Sequence, residues 1–218
     1  MGVTERRARE KEELHDRILK AASALFAEDG YASVSLRKIA ERIEYAPSTI
    51  YLYFKDKDEI VTSICRQNFL LLTEALDSIL VRDLPPLEML RACLRSYIQF
   101  GLDYPDHYVV TLCLPEPAPR SDRDVHDNLS VLDVGLSAFN RLAGGLLGCM
   151  QAGVIRKADV ELTAQTTWMM IHGITSLLVT KSSFPFLDRN RLIEHYLDRV
   201  LLSLGAAIVP QDPDEKIL

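Results

Sequence analysis

The amino-acid sequence predicts an all-α protein. Apolar residues recur at helical spacing along nearly the whole 218-residue chain, and no segment sustains the period-two alternation of a half-buried strand. Hydrophobic residues make up 48% of the chain and charged residues 26%, proportions typical of a globular protein with a sizeable core. Two groups of helices are predicted, a compact N-terminal head and a larger C-terminal body.

Three helices with very short connections form the predicted head. The first helix ends at Gly30, a residue suited to the left-handed conformation of a helix C-cap. Ser35 is a typical N-cap for the second helix, and Pro47 fits the first position of a third that continues to about Phe54. The apolar faces of the first two helices consist of Leu14, Ile18, Ala22, Leu25 and Phe26, and of Leu36, Ile39, Ala40 and Ile43.

Five longer helices are predicted after the head. The fourth begins where Asp56 and Glu59 form a variant of the capping box, and it continues to the Pro85-Pro86 break. The others cover about 87–104, 126–153, 159–181 and 189–207. The proline-rich stretch 115–124 is predicted to be a loop. The resulting domains are a head at 1–57, a body at 58–210 and a tail at 211–218.

Composition excludes several classes of protein. No apolar run reaches the roughly 18–20 residues of a membrane helix, and the charged N-terminus does not resemble a signal peptide. We therefore expect a cytoplasmic protein without membrane contacts. The four cysteines lie at least twenty positions apart, which does not favour a zinc or disulfide motif. The scattered histidines have no metal-ligand spacing, so neither a metal nor a cofactor is predicted.

The charge distribution favours the head as the nucleic-acid-binding end. The whole chain has a formal net charge of −6. Residues 1–55 contain 10 Lys and Arg against 9 Asp and Glu, whereas the remainder contains 15 against 22. The head is thus relatively electropositive. Arg6, Arg7, Arg9 and Lys11 could form a basic arm, but the glutamates between them are equally compatible with a charge-balanced helix start.

Residues 35–57 have the pattern of a helix-turn-helix, two short helices joined by a turn of three or four residues. Small hydroxyl side chains at the start of the second helix would let its backbone approach a major groove closely, and tyrosine hydroxyls can reach phosphates beside it. Ile50 and Phe54 are predicted to point into the head. The outward side chains of this helix are Ser48, Thr49, Tyr51 and Tyr53.

Segment 14–60 resembles the DNA-binding head of the TetR family of bacterial regulators. The matching residues are Ala-x-x-Leu-Phe-x-x-x-Gly-Tyr at 22–31, Ile39-Ala40, and Thr49-Ile50-Tyr51-x-Tyr53-Phe54-x-x-Lys57. The resemblance implies that Ser48 and Thr49 lie near bases and that Tyr51, Tyr53 and Lys57 contact phosphates. Arg37 would contact either a base or a phosphate. The remaining DNA-binding candidates are Ser35 and Lys38.

Two residues of the turn depart from the family pattern. The family often has glycine where this chain has Glu44, and a serine cap where it has Ala46. Glu44 also places a negative charge near the predicted DNA surface.

The body resembles a TetR subfamily with a Trp-x-x-x-His-Gly motif, here Trp168, His172 and Gly173. The resemblance implies a small-molecule effector and a homodimer formed through helices 159–181 and 189–207. Trp168 and His172 are helical neighbours, with either a structural or a ligand-binding role. Gly173 is expected to allow close helix approach. The candidate pocket residues are Tyr97, Phe100, Tyr104, Tyr108, Phe139, Met150, Trp168, Met169 and His172.

The predicted dimer has independent support in the last helix, which has a broad apolar face. One neighbouring element in a small body would not cover this face, and an exposed apolar patch of that size usually marks an interface. Its residues are Leu192, Ile193, Tyr196, Leu197, Val200, Leu201 and Leu204.

A dimeric, ligand-responsive transcriptional regulator, in this family most often a repressor, is therefore the predicted function. A palindromic operator and a largely hydrophobic effector are expected as partners. Two alternatives stay open: a helical ligand-binding protein without DNA binding, and an all-helical enzyme. No catalytic motif favours the enzyme, so no catalytic residue is predicted.

Overall fold

A computed structural model of the chain describes residues 3–114 and 131–207. These residues contain helices and turns but no strand, which confirms the all-α class. The predicted loop at 115–124 and the tail at 211–218 lie outside the described residues. The helices are α1 Val3–Asp29, α2 Leu36–Arg42, α3 Pro47–Ile50, α4 Lys57–Leu80, α5 Pro86–Asp103, α6 Pro105–Tyr108, α7 Val131–Gln151, α8 Val160–Thr180 and α9 Arg189–Ser203.

Two short turns complete the described structure. A 3-10 turn, Tyr31–Ser33, follows α1, and a π-helical turn, Val109–Cys113, follows α6. None of the described helices is long and apolar enough to cross a bilayer.

The chain divides into two compact units. The head unit comprises Met1–Leu71 and Tyr104–Gly135, and the body unit comprises Leu72–Asp103 and Leu136–Leu218. Helix α4 runs without a break from one unit into the other. The domain boundary predicted after residue 57 lies at the first residue of α4. The two packing units divide further along that helix, after Leu71.

One apolar core fills the head. The predicted inward positions of α1 and α2 are buried in it, with Leu14 partly buried at its edge. Ile50 and Phe54 are also buried, at 0% and 3% exposed, so the inward face predicted for the helix-turn-helix is confirmed. Burying these side chains removes apolar surface from water and fixes the position of α3 against α1 and α2.

Two helix caps in the head form as the sequence predicts. The Ser35 hydroxyl accepts a hydrogen bond from the Lys38 N–H at 3.2 Å, as an N-cap should. Asp56 Oδ1 accepts from the Glu59 N–H at 3.0 Å, while Glu59 Oε2 accepts from the Lys55 N–H at 2.6 Å. The acidic pair thus forms the predicted variant of the capping box.

Two local predictions in the head need correction. Helix α3 ends at Ile50 rather than Phe54, because Leu52 and Tyr53 donate to carbonyls three residues back in tighter turns. Gly30 has the expected positive φ of 76°, but its ψ of 157° lies outside the left-handed helical region. This combination is open essentially only to glycine, so the residue type is still explained.

The body packs α5 against α8 and α9. The inner face of α9 is covered within its own unit: Ile193, Leu197, Val200 and Leu201 are all 2% exposed or less. The sequence interpretation, that one subunit would leave this apolar face uncovered, was wrong, because the monomer already buries most of it. Arg91 of α5 reinforces the contact through Glu194 Oε2 at 2.7 Å and Asp198 Oδ1 at 2.5 Å.

Candidate nucleic-acid interface and effector site

The surface around α3 presents the predicted recognition side chains to solvent. Ser48 is exposed, Thr49 is half-buried, and Tyr51 is 60% exposed. Because Ile50 is completely buried between these residues, the outer face of α3 is held in a fixed direction. The arrangement allows hydroxyl groups to approach a groove while the helix stays anchored.

The turn before α3 is strained at Glu44. This residue has a φ of 62° and is the one non-glycine residue with positive φ in the described part of the chain. A side chain in this conformation brings Cβ close to backbone oxygen, which explains why glycine is common there in the family. Ala46 occupies the N-cap of α3 without a side-chain hydrogen bond, so the cap is weak as well.

The two cations of α2 predicted to contact DNA have partners within the head. Arg37 Nε lies 3.1 Å from Glu41 Oε1, and Lys38 Nζ lies 2.9 Å from Asp29 Oδ2. The Ser35 hydroxyl is engaged in its cap. A phosphate contact by either cation would therefore have to share or replace a carboxylate already bound to it.

Lys57 and Tyr53 lie beside the recognition surface in different environments. Tyr53 is half-buried and packs on the head core. Lys57 Nζ donates to the Tyr31 carbonyl oxygen at 2.8 Å and lies 3.9 Å from the centroid of the Tyr31 ring. Sequence reasoning gave Tyr31 no role, since the only signal was its place in the Gly-Tyr pair, 26 residues before the lysine.

The N-terminal segment is a helix rather than an extended arm. Helix α1 begins at Val3, and Arg6 pairs with Glu10 one turn later, 3.4 Å apart on an exposed surface. Of the two alternatives for this segment, the structure agrees with the charge-balanced helix start.

Four of the predicted pocket residues come together in the body. The Tyr97 hydroxyl lies 3.3 Å from His172 Nδ1 and accepts a hydrogen bond from Trp168 Nε1 at 3.3 Å. Phe139 meets the Trp168 ring edge-on, with centroids 6.3 Å apart. Trp168 and His172 are adjacent on α8, as their spacing predicts. We call these four residues the aromatic cluster.

The other predicted pocket residues occupy varied positions. Phe100 and Met150 are buried in the body, whereas Met169 is 63% exposed. Tyr104 is 45% exposed and Tyr108 is fully buried, and both belong to the head unit. The predicted pocket residues are therefore distributed over both units, because α5 ends at Asp103, where the chain changes unit.

Burial affects the ionisation of the body histidine. Desolvation lowers the pKa of His172 below its ordinary value, so the neutral imidazole is favoured beside Tyr97. Burial likewise raises the pKa of the Tyr196 hydroxyl, which donates to the Met170 carbonyl at 2.6 Å. Within residues 3–114 and 131–207, no group of three His, Cys, Asp or Glu side chains could hold a metal ion.

An apolar stripe on α8 remains exposed in the monomer. Leu162, Met169 and Leu177 are 64%, 63% and 49% exposed. Gly173 lies between Met169 and Leu177, and a Cβ added to it would meet no atom within 4 Å. Among the residues that the structure describes, none makes the close helix contact expected at Gly173.

Known proteins resemble both parts of the chain. The family model described as "Bacterial regulatory proteins, tetR family" matches residues 18–64, and the model "Tetracyclin repressor-like, C-terminal domain" matches residues 90–200. The chain belongs to the TetR family. This TetR-family protein is a DNA-binding transcriptional regulator controlled by a ligand, and not an enzyme.

Individual relatives give the comparison more detail. The fatty acid metabolism regulator protein of Bacillus subtilis is 27% identical over 173 residues, which cover 74% of this chain and 87% of that protein. The fatty acid degradation regulator FadR of Bacillus halodurans is 22% identical, with a TM-score of 0.72, covering 88% of this chain and 97% of that one.

A third structure, FadR from Bacillus subtilis in complex with stearoyl-CoA, is 23% identical with a TM-score of 0.70. The match covers 85% of this chain and 96% of that chain. At these identities the two solved structures show a shared fold.

Proposed function

We propose that this regulator is a homodimeric repressor that binds a palindromic operator and leaves it when a long-chain acyl-CoA enters the body. The single observation that supports DNA recognition best is the anchored α3: Ile50 is fully buried while Tyr51, the next residue, is 60% exposed. A rigid element with an outward polar face is what groove recognition requires. The functional boundary after residue 57 remains part of this proposal.

Contacts within the operator would follow the positions of the side chains. Ser48 and Thr49 lie at the start of α3, where a recognition helix meets base edges. Tyr51, Tyr53 and Lys57 would hold phosphates. Ser35, Arg37 and Lys38 would contribute at the edge, where their partners in the head compete with DNA.

The exposed stripe on α8 supports dimer formation with α8 and α9 of a second copy. Leu162, Met169 and Leu177 lie on one side of α8, and Gly173 leaves room among them for a close neighbour. On the adjoining helix, Leu202 is 40% exposed. Burying such a surface stabilises association, and a twofold axis would place two α3 helices about 34–36 Å apart for successive major grooves.

Support for the effector comes from the relatives and from the aromatic cluster. Two of the relatives above carry fatty acid regulation in their names, and the third structure, FadR from Bacillus subtilis, is a complex with stearoyl-CoA. The cluster offers apolar ring surface with a polar edge at Tyr97 and His172, which suits a ligand with an apolar chain and a polar group. In this proposal, the Trp-x-x-x-His-Gly motif supplies Trp168 and His172 to the effector site.

Selection of DNA from a random pool tests the operator. Enrichment of a palindrome by the purified protein, with affinity that falls as salt rises, is expected. Tyr51→Ala should lose about tenfold or more in affinity if the residue holds phosphates. Leu52→Ala is the matched control, since Leu52 is 79% exposed on the same turn and has no polar group. Equal affinity of wild type and Tyr51→Ala would contradict the assignment.

The single tryptophan of the chain, Trp168, provides a direct probe for the effector. Stearoyl-CoA should change Trp168 emission and release operator DNA over the same concentration range. Free coenzyme A and stearate separate the contributions of the two ends of the ligand. If stearoyl-CoA changes neither Trp168 emission nor operator affinity, the acyl-CoA proposal is wrong, while the operator result stands independently.

A further inference from the structure

The aromatic ring of Tyr31 lies beside the ammonium group of Lys57, the first residue of α4. The Lys57 Nζ atom is 3.9 Å from the ring centroid and 2.8 Å from the Tyr31 carbonyl oxygen. We propose that Tyr31 is a positioning residue that holds Lys57 ready for a DNA phosphate and so sets the affinity of each head for DNA. The inference rests on the phosphate contact of Lys57 proposed above.

The geometry leaves the lysine able to bind. An ammonium group has three N–H donors, of which the Tyr31 carbonyl takes one and the ring face a second. A third remains for a phosphate oxygen. An unrestrained lysine samples many rotamers, and ordering it on a phosphate opposes binding. Restraint by Tyr31 removes part of that freedom before DNA arrives.

Tyr31 is itself fixed. Its ring packs against Phe26, with centroids 5.8 Å apart, and Phe26 is completely buried in the head core. Its hydroxyl donates a hydrogen bond to the Asp58 carboxylate, one residue after Lys57. The ring is therefore a rigid support attached both to the core and to the start of α4.

Three other cations of the head have carboxylate partners, and the comparison shows what a ring offers instead. Arg37, Lys38 and Arg42 each pair with a carboxylate of the head. A carboxylate neutralises a cation and competes with phosphate for it. An aromatic ring has no net charge and attracts the ammonium through its quadrupole, so it holds Lys57 without cancelling its charge.

A double-mutant cycle tests the proposal with the full chain and a labelled mixed-sequence DNA duplex. Pentafluorophenylalanine at position 31 keeps the ring shape but reverses its quadrupole, and Tyr31→Phe keeps the ring without the hydroxyl. Both variants lose the hydroxyl and its hydrogen bond to Asp58, so Tyr31→Phe is the reference for the fluorinated ring. The fluorinated ring should weaken binding by about two- to five-fold per head.

The decisive measurement repeats the change at position 31 in the Lys57→Met protein. Lys57→Met should make the negative slope of log K against log salt less steep by about 0.9, as loss of one phosphate contact requires. In that background the fluorinated ring should have no further effect. Thermal melting of each variant checks that the head is folded.

Three results would overturn the proposal. An equal loss with the fluorinated ring in both backgrounds would mean that Tyr31 acts on the fold rather than through Lys57. Tighter binding with the fluorinated ring would mean that Tyr31 holds the lysine away from DNA. Absence of binding by the wild type at any salt concentration would reject the phosphate contact itself, and with it this role of Tyr31.

Discussion

The head and the body differ in how completely each covers its own apolar surface. The head buries the inward faces of α1, α2 and α3 in one core, and its exposed Arg37, Lys38 and Arg42 pair with its own carboxylates. The body buries the inner face of α9 but leaves a stripe of α8 in solvent, including Leu162 and Met169. The head thus buries its helix faces in one core, whereas the body leaves part of one helix face uncovered.

The largest effect expected is on the core of the head. Ile50→Ala removes a completely buried side chain and leaves a cavity, which should lower the free energy of unfolding by about 2–5 kcal/mol. Urea denaturation followed by circular dichroism measures the loss. Leu52→Ala, two residues away and largely exposed, should change stability by no more than about 0.5 kcal/mol. Similar losses in both variants would show that α3 is not anchored through Ile50.

A charge on the exposed stripe should affect assembly rather than folding. Met169→Glu would bury a carboxylate in the proposed interface and weaken the dimer by about 2 kcal/mol or more, roughly thirtyfold. Sedimentation over a range of concentrations measures the shift. Leu52→Glu places the same charge on an exposed apolar residue of the head and should leave assembly unchanged. A Met169→Glu protein that dimerises as tightly as wild type would place the interface elsewhere.

The strained turn offers a gain in stability. Glu44→Gly relieves the positive φ of 62° and should raise the free energy of unfolding by about 1 kcal/mol. Ala46→Ser, which supplies the missing cap, should add about as much. Thermal melting measures both, and Glu41→Gly, inside α2, is a control expected to destabilise. Loss of stability in Glu44→Gly would mean that the side chain contributes more than its strain costs.

The smallest effect concerns pH in the body. Burial lowers the pKa of His172, so the unfolded chain takes up the proton first as pH falls below the ordinary histidine value near 6.5. Stability supplied by the neutral side chain is present above that pH and is lost as pH falls further. The urea midpoints measured near neutral pH and at mildly acidic pH should differ less in His172→Gln than in the wild type. His107 in the head, whose pKa burial also lowers, will retain its own share.

Local signals in the sequence were sufficient for most of the fold. Helical periodicity, Ser35 and Pro47 placed the elements of the head, because caps and apolar spacing act within a few residues of each other. The ends of helices were less certain, as the early stop of α3 at Ile50 shows. There, three-residue hydrogen bonds compete closely with helical ones.

Partners far apart in the chain were decided only by tertiary structure. Nothing in the spacing joins Tyr31 to Lys57, Arg91 to Glu194 and Asp198, or Tyr97 to His172. The apolar pattern of α9 likewise could not distinguish a face covered by α5 from one awaiting a second subunit. Periodicity shows which side of a helix avoids water, whereas the identity of what covers it depends on how the helices pack.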